Sequence, residues 1–279
     1  MTTIKTWLIT DASSGLGRLM CEMLLARGDK VLASVRSKTV LDDMSAKYGD
    51  HLQVMVLDLS MSASIRPTVE AAFTQAGRID IVVSNAAYGL FGAAEELSDT
   101  QIDRQIATNL TGSIQLIRAA IPFLRQQGGG RIVQVSSEGD QVAYPDFSLY
   151  HATKWGIEGF VEAVRQEVAS FDIDFLLVEP GPTATQFGAG LNIADALPVY
   201  RHTAAGKLRT AIMSGEFAVK GDAEKCVTAI IAAADAASPP LRLPLGSTAY
   251  NNIEAALQMR LNALQGMKAV AYGADRQGI

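Results

Sequence analysis

Ser137, Tyr150 and Lys154, in "RIVQVSSEGDQVAYPDFSLYHATKWG" over 131–156, are the side chains whose types and spacing suit chemistry. Tyr150 and Lys154 stand four apart at the start of a helical pattern, so both lie on one helix face. A free phenol titrates near about 10, too high for acid–base work at neutral pH. An ammonium beside it favours the phenolate and lowers that value. A serine hydroxyl alongside orients a carbonyl oxygen and stabilises charge developing there. Tyr-x-x-x-Lys alone also arises by chance and as a surface helix pair, so its weight rests on the elements that position it.

Those elements repeat. The runs 4–10, 30–35, 52–58, 79–85, 130–137 and 173–181 are near-continuous in aliphatic and β-branched residues, the pattern of strands covered on both faces. Helical patterns at 14–27, 63–76, 100–126 and 149–170 alternate with them. The order predicts an α/β Rossmann-type fold, a doubly wound parallel sheet with helices on both faces and right-handed crossovers. "PPLRLPLG" (239–246) supplies a further short strand despite its prolines, for about seven strands. A last helix is expected at about 250–265, and Pro122 is expected to kink or end its own. The stretch 183–221 breaks the rhythm with Gly, Ala, Pro and scattered apolar residues; such long loops are functional or disordered. With no repeat or linker, 1–279 reads as one domain carrying that loop and a C-terminal helix and tail from about 250 to 279.

In a doubly wound sheet, ligands bind beyond the carboxyl ends of the strands. The first such end is "WLITDASSGLG" (7–17), where Gly15 and Gly17 let backbone approach a phosphate and the following helix offers free N–H groups. A tight structural turn is the competing account. No Gly-Lys-Ser/Thr follows, which argues against ATP hydrolysis. After the second strand the chain reads "LASVRS", where an NAD site usually carries an acid roughly 20 residues beyond the loop. Arg36 stands there instead, a forked cation suited to a 2′-phosphate, and Ser14 adds a hydroxyl. This favours NADP over NAD; a merely solvated arginine is the plain alternative.

From residue 4 to about 185 the sequence resembles the short-chain dehydrogenase/reductase family. The resemblance rests on the glycine loop, Asp58, "SNAA" (84–87), Asn109, Ser137, Tyr150, Lys154 and "PGPTAT" (180–185). It implies an NAD(P)-dependent oxidoreductase. In it Tyr150 is the general acid–base, Lys154 lowers the tyrosine pKa and holds the nicotinamide ribose, Ser137 orients the substrate carbonyl, and Asn109 supports a proton-relay water. The implied cofactor contacts are Asp11, Ser13, Ser14 and Leu16 in the loop, Arg36, and Asp58 at the adenine amino group. Asn85, Ala86 and Ala87 pass beneath the adenosine ribose, and Pro180, Gly181, Thr183 and Thr185 lie by the carboxamide and pyrophosphate. Three residues depart from the pattern. Asp11 and Ala87 replace glycines, and Ser84 replaces an asparagine. A side chain at Asp11 either clashes or requires positive φ, which Asp tolerates better than most residues, and its carboxylate is expected to turn from the pyrophosphate toward the adenosine side or solvent.

The substrate pocket is expected from 88–95, 138–149 and 186–215, with Leu90, Phe91, Val142, Tyr144, Phe147, Phe187, Leu191 and Leu197 as candidate lining; Phe91, Phe147 and Phe187 join Ser137 and Tyr150 as substrate contacts. That apolar set suits a hydrophobic ketone, aldehyde or alcohol, and packing of the loop onto the domain explains it equally well. The family subset it resembles includes hydroxysteroid and retinol dehydrogenases. Glu138 touches a polar substrate group or is structural, and His151, rotated about 100° from Tyr150, is structural. The three histidines are too scattered for a metal site, and no metal is required.

A net charge of −5 without a basic block argues against nucleic acid. No apolar run approaches about 20 residues and no signal peptide precedes the first strand, so a cytoplasmic protein without a membrane partner is expected. Cys21 and Cys226 read as buried small apolar residues. Homo-dimers or homo-tetramers through 100–126 and 149–170 follow from the resemblance. The working expectation is an NADP(H)-dependent carbonyl reductase or alcohol dehydrogenase. The alternatives are a cofactor-binding sensor or regulatory protein on the same fold, and a phosphate-binding module without redox chemistry.

Overall fold

The structure, a computed structural model, describes residues 4–276; the last three residues of the expected tail lie outside the described residues. Seven strands form one parallel sheet: β1 (Thr6–Thr10), β2 (Lys30–Val35), β3 (Leu52–Val56), β4 (Ile81–Ser84), β6 (Gly130–Val135), β7 (Ile173–Pro180) and β9 (Arg242–Leu245). A separate parallel pair joins β5 (Leu90–Phe91) to β8 (Asn192–Ile193). The main order is β3-β2-β1-β4-β6-β7-β9, so the winding reverses between β1 and β4. That reversal opens the crevice in which such folds bind ligands.

The alternation of side chains along each strand splits the core in two. Trp7 and Ile9 of β1 pack on one face of the sheet with helix α1 (Gly15–Arg27), α2 (Asp42–Tyr48) and α8 (Ala223–Asp235). Leu8 points to the other face, against α3 (Ser62–Ala76), α5 (Ser113–Gln126) and α6 (Ser148–Glu167). Each such fully buried aliphatic side chain contributes about 1.5–3 kcal/mol. Cys21 and Cys226 are buried free thiols within the first core. Helix α1 stops at Gly28, which takes φ 96° and donates its N–H to the Leu24 and Leu25 carbonyls.

Three sequence expectations change. The helix expected over 100–126 is unbroken but not uniformly α: α4 (Asp99–Gln105) passes through a π-helical stretch, Ile106–Gly112, into α5. Helix α5 runs through Pro122 to Gln126, so that proline neither ends it early nor marks its boundary. The fifth run, expected over 130–137, stops at Val135, leaving Ser137 just past the strand as the cap of a short turn, with its Oγ accepting from Gly139 N at 3.0 Å. The 183–221 insertion is a folded excursion containing β8 and α7 (Ala204–Met213). A parallel bridge between Thr183 and Gly221 ties its two ends together. Helix α9 (Ser247–Gly266) packs through Ala249, Ile253 and Ala256, and from Leu257 through α10 (Lys268–Gly273) to residue 276 every side chain is exposed. Among the described residues no helix is long and apolar enough to cross a membrane.

Candidate active site

The carboxyl ends of β1, β2 and β4 lie side by side, and Thr10, the last residue of β1, knits them. Its hydroxyl donates to Val83 O (3.3 Å) and accepts from the backbone N–H groups of Asn85 (2.9 Å) and Ala86 (3.1 Å), using all its hydrogen-bonding capacity. Asn85 Nδ2 in turn donates to Thr10 O (3.0 Å) and Asp11 O (3.3 Å). A Cβ on Gly17 would stand 2.5 Å from both Asn85 Nδ2 and Asp11 O, so only glycine lets the loop close there.

Asp11 takes φ 53°, so of the two alternatives, a clash or a left-handed backbone, the chain adopts the second. Its Oδ1 accepts from Ser13 Oγ at 3.1 Å, so the carboxylate turns back on its own loop. It also lines a cleft with Arg36, Asp58, Ala86 and Ala87, the residues expected at the adenosine end. Arg104 and Thr108 form part of the facing wall, and Gly190 to Asn192 of the insertion reach the same cleft. Burial opposes ionisation of Asp58, but the Ser60 hydroxyl and backbone N–H, at 2.7 and 2.9 Å, outweigh it with help from Arg36 and Arg104; the carboxyl sits below its ordinary value. Ser14 precedes α1 with its hydroxyl unspent on the helix, and Leu16 is half-buried beside it. Gly15 faces Thr185 across a shallow cleft shared with Ala184 and Gln186. Thr183 Oγ1 donates to Gly181 O at 2.8 Å, and Gly181 N donates to Leu245 O at 3.0 Å, holding "PGPTAT" to the end of the sheet. An ionised acceptor, an exposed guanidinium, a glycine-only turn and a helix N-terminus along one crevice fit a dinucleotide.

Helix α6 carries Tyr150 and Lys154 one turn apart, both buried. The Lys154 Nζ lies 5.7 Å from the Tyr150 ring centre and donates to Val135 O at 2.9 Å. Burial pushes the Tyr150 phenol up to about 12, with Ser137 pulling it down and Glu138 adding to the rise. Burial also pushes Lys154 down to about 7. Burial of the two groups thus acts against the lowering of the phenol expected from the neighbouring ammonium. Asn109 stands inside the π-helical stretch, where its Nδ2 donates to Tyr88 O (2.9 Å) and its Oδ1 accepts from Tyr88 N (3.1 Å). Single π turns are frequent at functional sites because they re-aim one backbone carbonyl.

Phe187 and Phe147 bracket Tyr150, with ring centres 5.8 and 6.1 Å away. Phe91 does not reach the cleft: it is 0% exposed, packs on Phe147 at 4.9 Å and lies under the Arg209 guanidinium. Leu90 is equally buried, so both support the wall from behind because β5 is covered by β8 and the insertion. Tyr144 hydrogen-bonds Glu138 Oε1 (2.8 Å) and accepts from Asn252 Nδ2 (2.8 Å), which makes Glu138 a tie between this loop and α9. His151 is structural: its Nε2 accepts from Tyr144 N (2.8 Å) and its Nδ1 faces Gly139 O (2.6 Å), so one ring nitrogen must donate and the other accept. That fixes the neutral tautomer, in keeping with a pKa lowered by burial.

Sequence reasoning missed Thr10, Ser60 and Arg104. The first two carried a legible signal, a hydroxyl just beyond a buried apolar run; Arg104 carried none. It also missed Arg242, which pairs with Glu158 and Glu179 and with Glu162 at 2.5 Å, fastening α6 and β7 to β9 behind the site.

Residues 5–195 match the short chain dehydrogenase family. The chain is 34% identical over 188 residues to a 3-ketodihydrosphingosine reductase of Bacteroides thetaiotaomicron, covering 67% of each. A short-chain dehydrogenase from Streptomyces avermitilis superposes with a TM-score of 0.90 at 34% identity, over 99% of this chain and 100% of that one. A short-chain dehydrogenase from Sphingobium yanoikuyae in complex with NADPH gives a TM-score of 0.72 at 25% identity, over 99% and 98%. With its seven-stranded parallel sheet, this chain belongs to the short-chain dehydrogenase family of oxidoreductases.

Proposed function

We propose that the protein is an NADP(H)-dependent oxidoreductase interconverting an apolar ketone or aldehyde and its alcohol. The observation that carries this is the meeting of three side chains: Ser137 hydrogen-bonds the buried Tyr150 phenol, and the buried Lys154 ammonium stands 5.7 Å from the Tyr150 ring centre. Ser13, Ser14, Leu16 and Thr185 would hold the pyrophosphate side, Arg36 the 2′-phosphate, and Asp58 with Asn85, Ala86 and Ala87 the adenosine, with the Asp11 carboxylate turned from the pyrophosphate toward that adenosine side. Pro180, Gly181 and Thr183 would take the nicotinamide end. Bound there, the cofactor supplies or accepts the hydride.

The protein's own part is proton placement and shape. Tyr150, protonated across the neutral range because burial raises its pKa, gives its proton to the carbonyl oxygen in reduction. Ser137 Oγ orients that oxygen and steadies the charge on it. Lys154, poised near neutrality, takes up and passes on protons below the tyrosine, and Asn109 anchors the backbone beside that route. Phe147 and Phe187 offer the substrate apolar walls. The Bacteroides relative named as a ketone reductase, and the Sphingobium structure holding NADPH, support the reaction and cofactor classes.

The test is NADPH consumption with a panel of apolar ketones, comparing Tyr150→Phe. Loss of about 10³-fold in turnover with cofactor affinity kept is expected of a general acid. Turnover that survives the substitution sinks the mechanism, and tight NADPH binding without turnover of any ketone would favour the sensor reading.

A further inference from the structure

Arg104 stands on the last turn of α4, exposed, and forms no salt bridge among the described residues. Its guanidinium carbon lies 6.0 Å from the centre of the Tyr88 ring. It lines the cleft together with Thr108, one turn further along, while Arg36 enters the same cleft from the end of β2. The Asp58 carboxylate feels both guanidinium groups. The two arginines differ in setting. Arg36 follows directly on the strand end, where a ribose 2′ substituent is read. Arg104 comes from the helix that follows β4 and meets the cleft beside Asp58. An unpaired guanidinium is planar and weakly hydrated, and it stacks on aromatic faces as readily as it pairs with anions.

We infer that Arg104 is a further cofactor-binding residue, closing its guanidinium plane over the face of the adenine ring whose amino group meets Asp58. The inference rests on the NADP(H) reading above. It divides the work between the two cations. Arg36 acts on the 2′-phosphate and sets the choice between NADPH and NADH. Arg104 acts on the base, which both dinucleotides share, and adds affinity without choosing.

Dissociation constants for NADPH and for NADH, followed by quenching of protein fluorescence in wild type, Arg104→Ala and Arg104→Lys, test this directly. Arg104→Ala should weaken both dinucleotides by about fivefold and leave their ratio unchanged, the size of an exposed cation–π contact. Arg104→Lys, which keeps the charge and loses the plane, should recover less than half of that loss. Because the side chain is exposed and unpaired, circular dichroism and the melting temperature should match wild type. Unchanged affinities in Arg104→Ala would overturn the inference. So would a loss confined to NADPH, which would mean a phosphate contact, or full recovery in Arg104→Lys, which would mean a point charge. Wild-type protein that binds neither dinucleotide would overturn the functional reading along with it, an outcome distinct from a wild type that binds both and an Arg104→Ala that binds as well.

Discussion

The two ends of the crevice are built on different principles. At the proposed adenosine end, Thr10 closes β1, Asp11, Arg36, Asn85 and Ala86 follow at or next to strand ends, and hydrogen bonds of Thr10 and Asn85 pin the loops after β1 and β4 to each other. At the substrate end the walls come from the insertion and the two-residue strands β5 and β8, with Phe187 40% exposed and Ile193, Leu197 and Val199 open to solvent. The first end has one geometry because slipping it would unpair a buried strand. The second has few buried contacts to lose, so substrate choice is able to vary there while the chemistry stays fixed.

Substitutions at each end put that contrast to work. Lys154→Met should give the largest effect, about 10³-fold lower turnover, from loss of the proton carrier beside Tyr150. The same change should stabilise the ligand-free protein. The lysine titrates near about 7 folded and near about 10.4 unfolded, so its burial costs most below pH 7 and the cost fades as pH rises through that window. Urea unfolding of the variant should therefore show its gain at pH 6 and little near pH 10; an equal gain at both would contradict a lowered lysine pKa. Next in size, Arg36→Asp should move the NADPH-to-NADH ratio of kcat/KM toward NADH by at least about tenfold, since it removes a forked cation and adds a repulsive acid. An unchanged ratio would refute the role given to Arg36.

Phe187→Ala should raise KM for apolar ketones by about tenfold while leaving the NADPH dissociation constant within about twofold, because the ring borders Tyr150 and not the adenosine cleft. A matching loss of cofactor affinity would erase the distinction between the ends. Asp11→Gly should have the smallest effect. It removes an L-residue from φ 53° and a negative charge from the loop, and should tighten NADPH by no more than about threefold. A clear loss of affinity would make the Asp11 carboxylate a working contact.

The chain alone determined the sheet and its order of use. Strands buried on both faces must be continuously apolar, helices between them must be amphipathic, and the residues that follow each strand must gather at one edge; Tyr150 and Lys154 are legible from their four-residue spacing on one helix face, and Asp58 and Asn85 through the family resemblance. At Asp11 the sequence left a clash or positive φ open, and the fold settled on φ 53°. Tertiary structure alone decided what depends on neighbours distant in sequence. It set burial against the charge of Lys154, since desolvation is a property of the packed interior. It moved Phe91 behind the pocket, because β8 covers β5 from 100 residues away along the chain. It turned part of the central helix into a π-helical stretch that clamps Tyr88 through Asn109. It also brought Arg104 into the cleft that Arg36 lines, a meeting that only the fold creates, because side chains on different βα units carry no record of each other in local pattern.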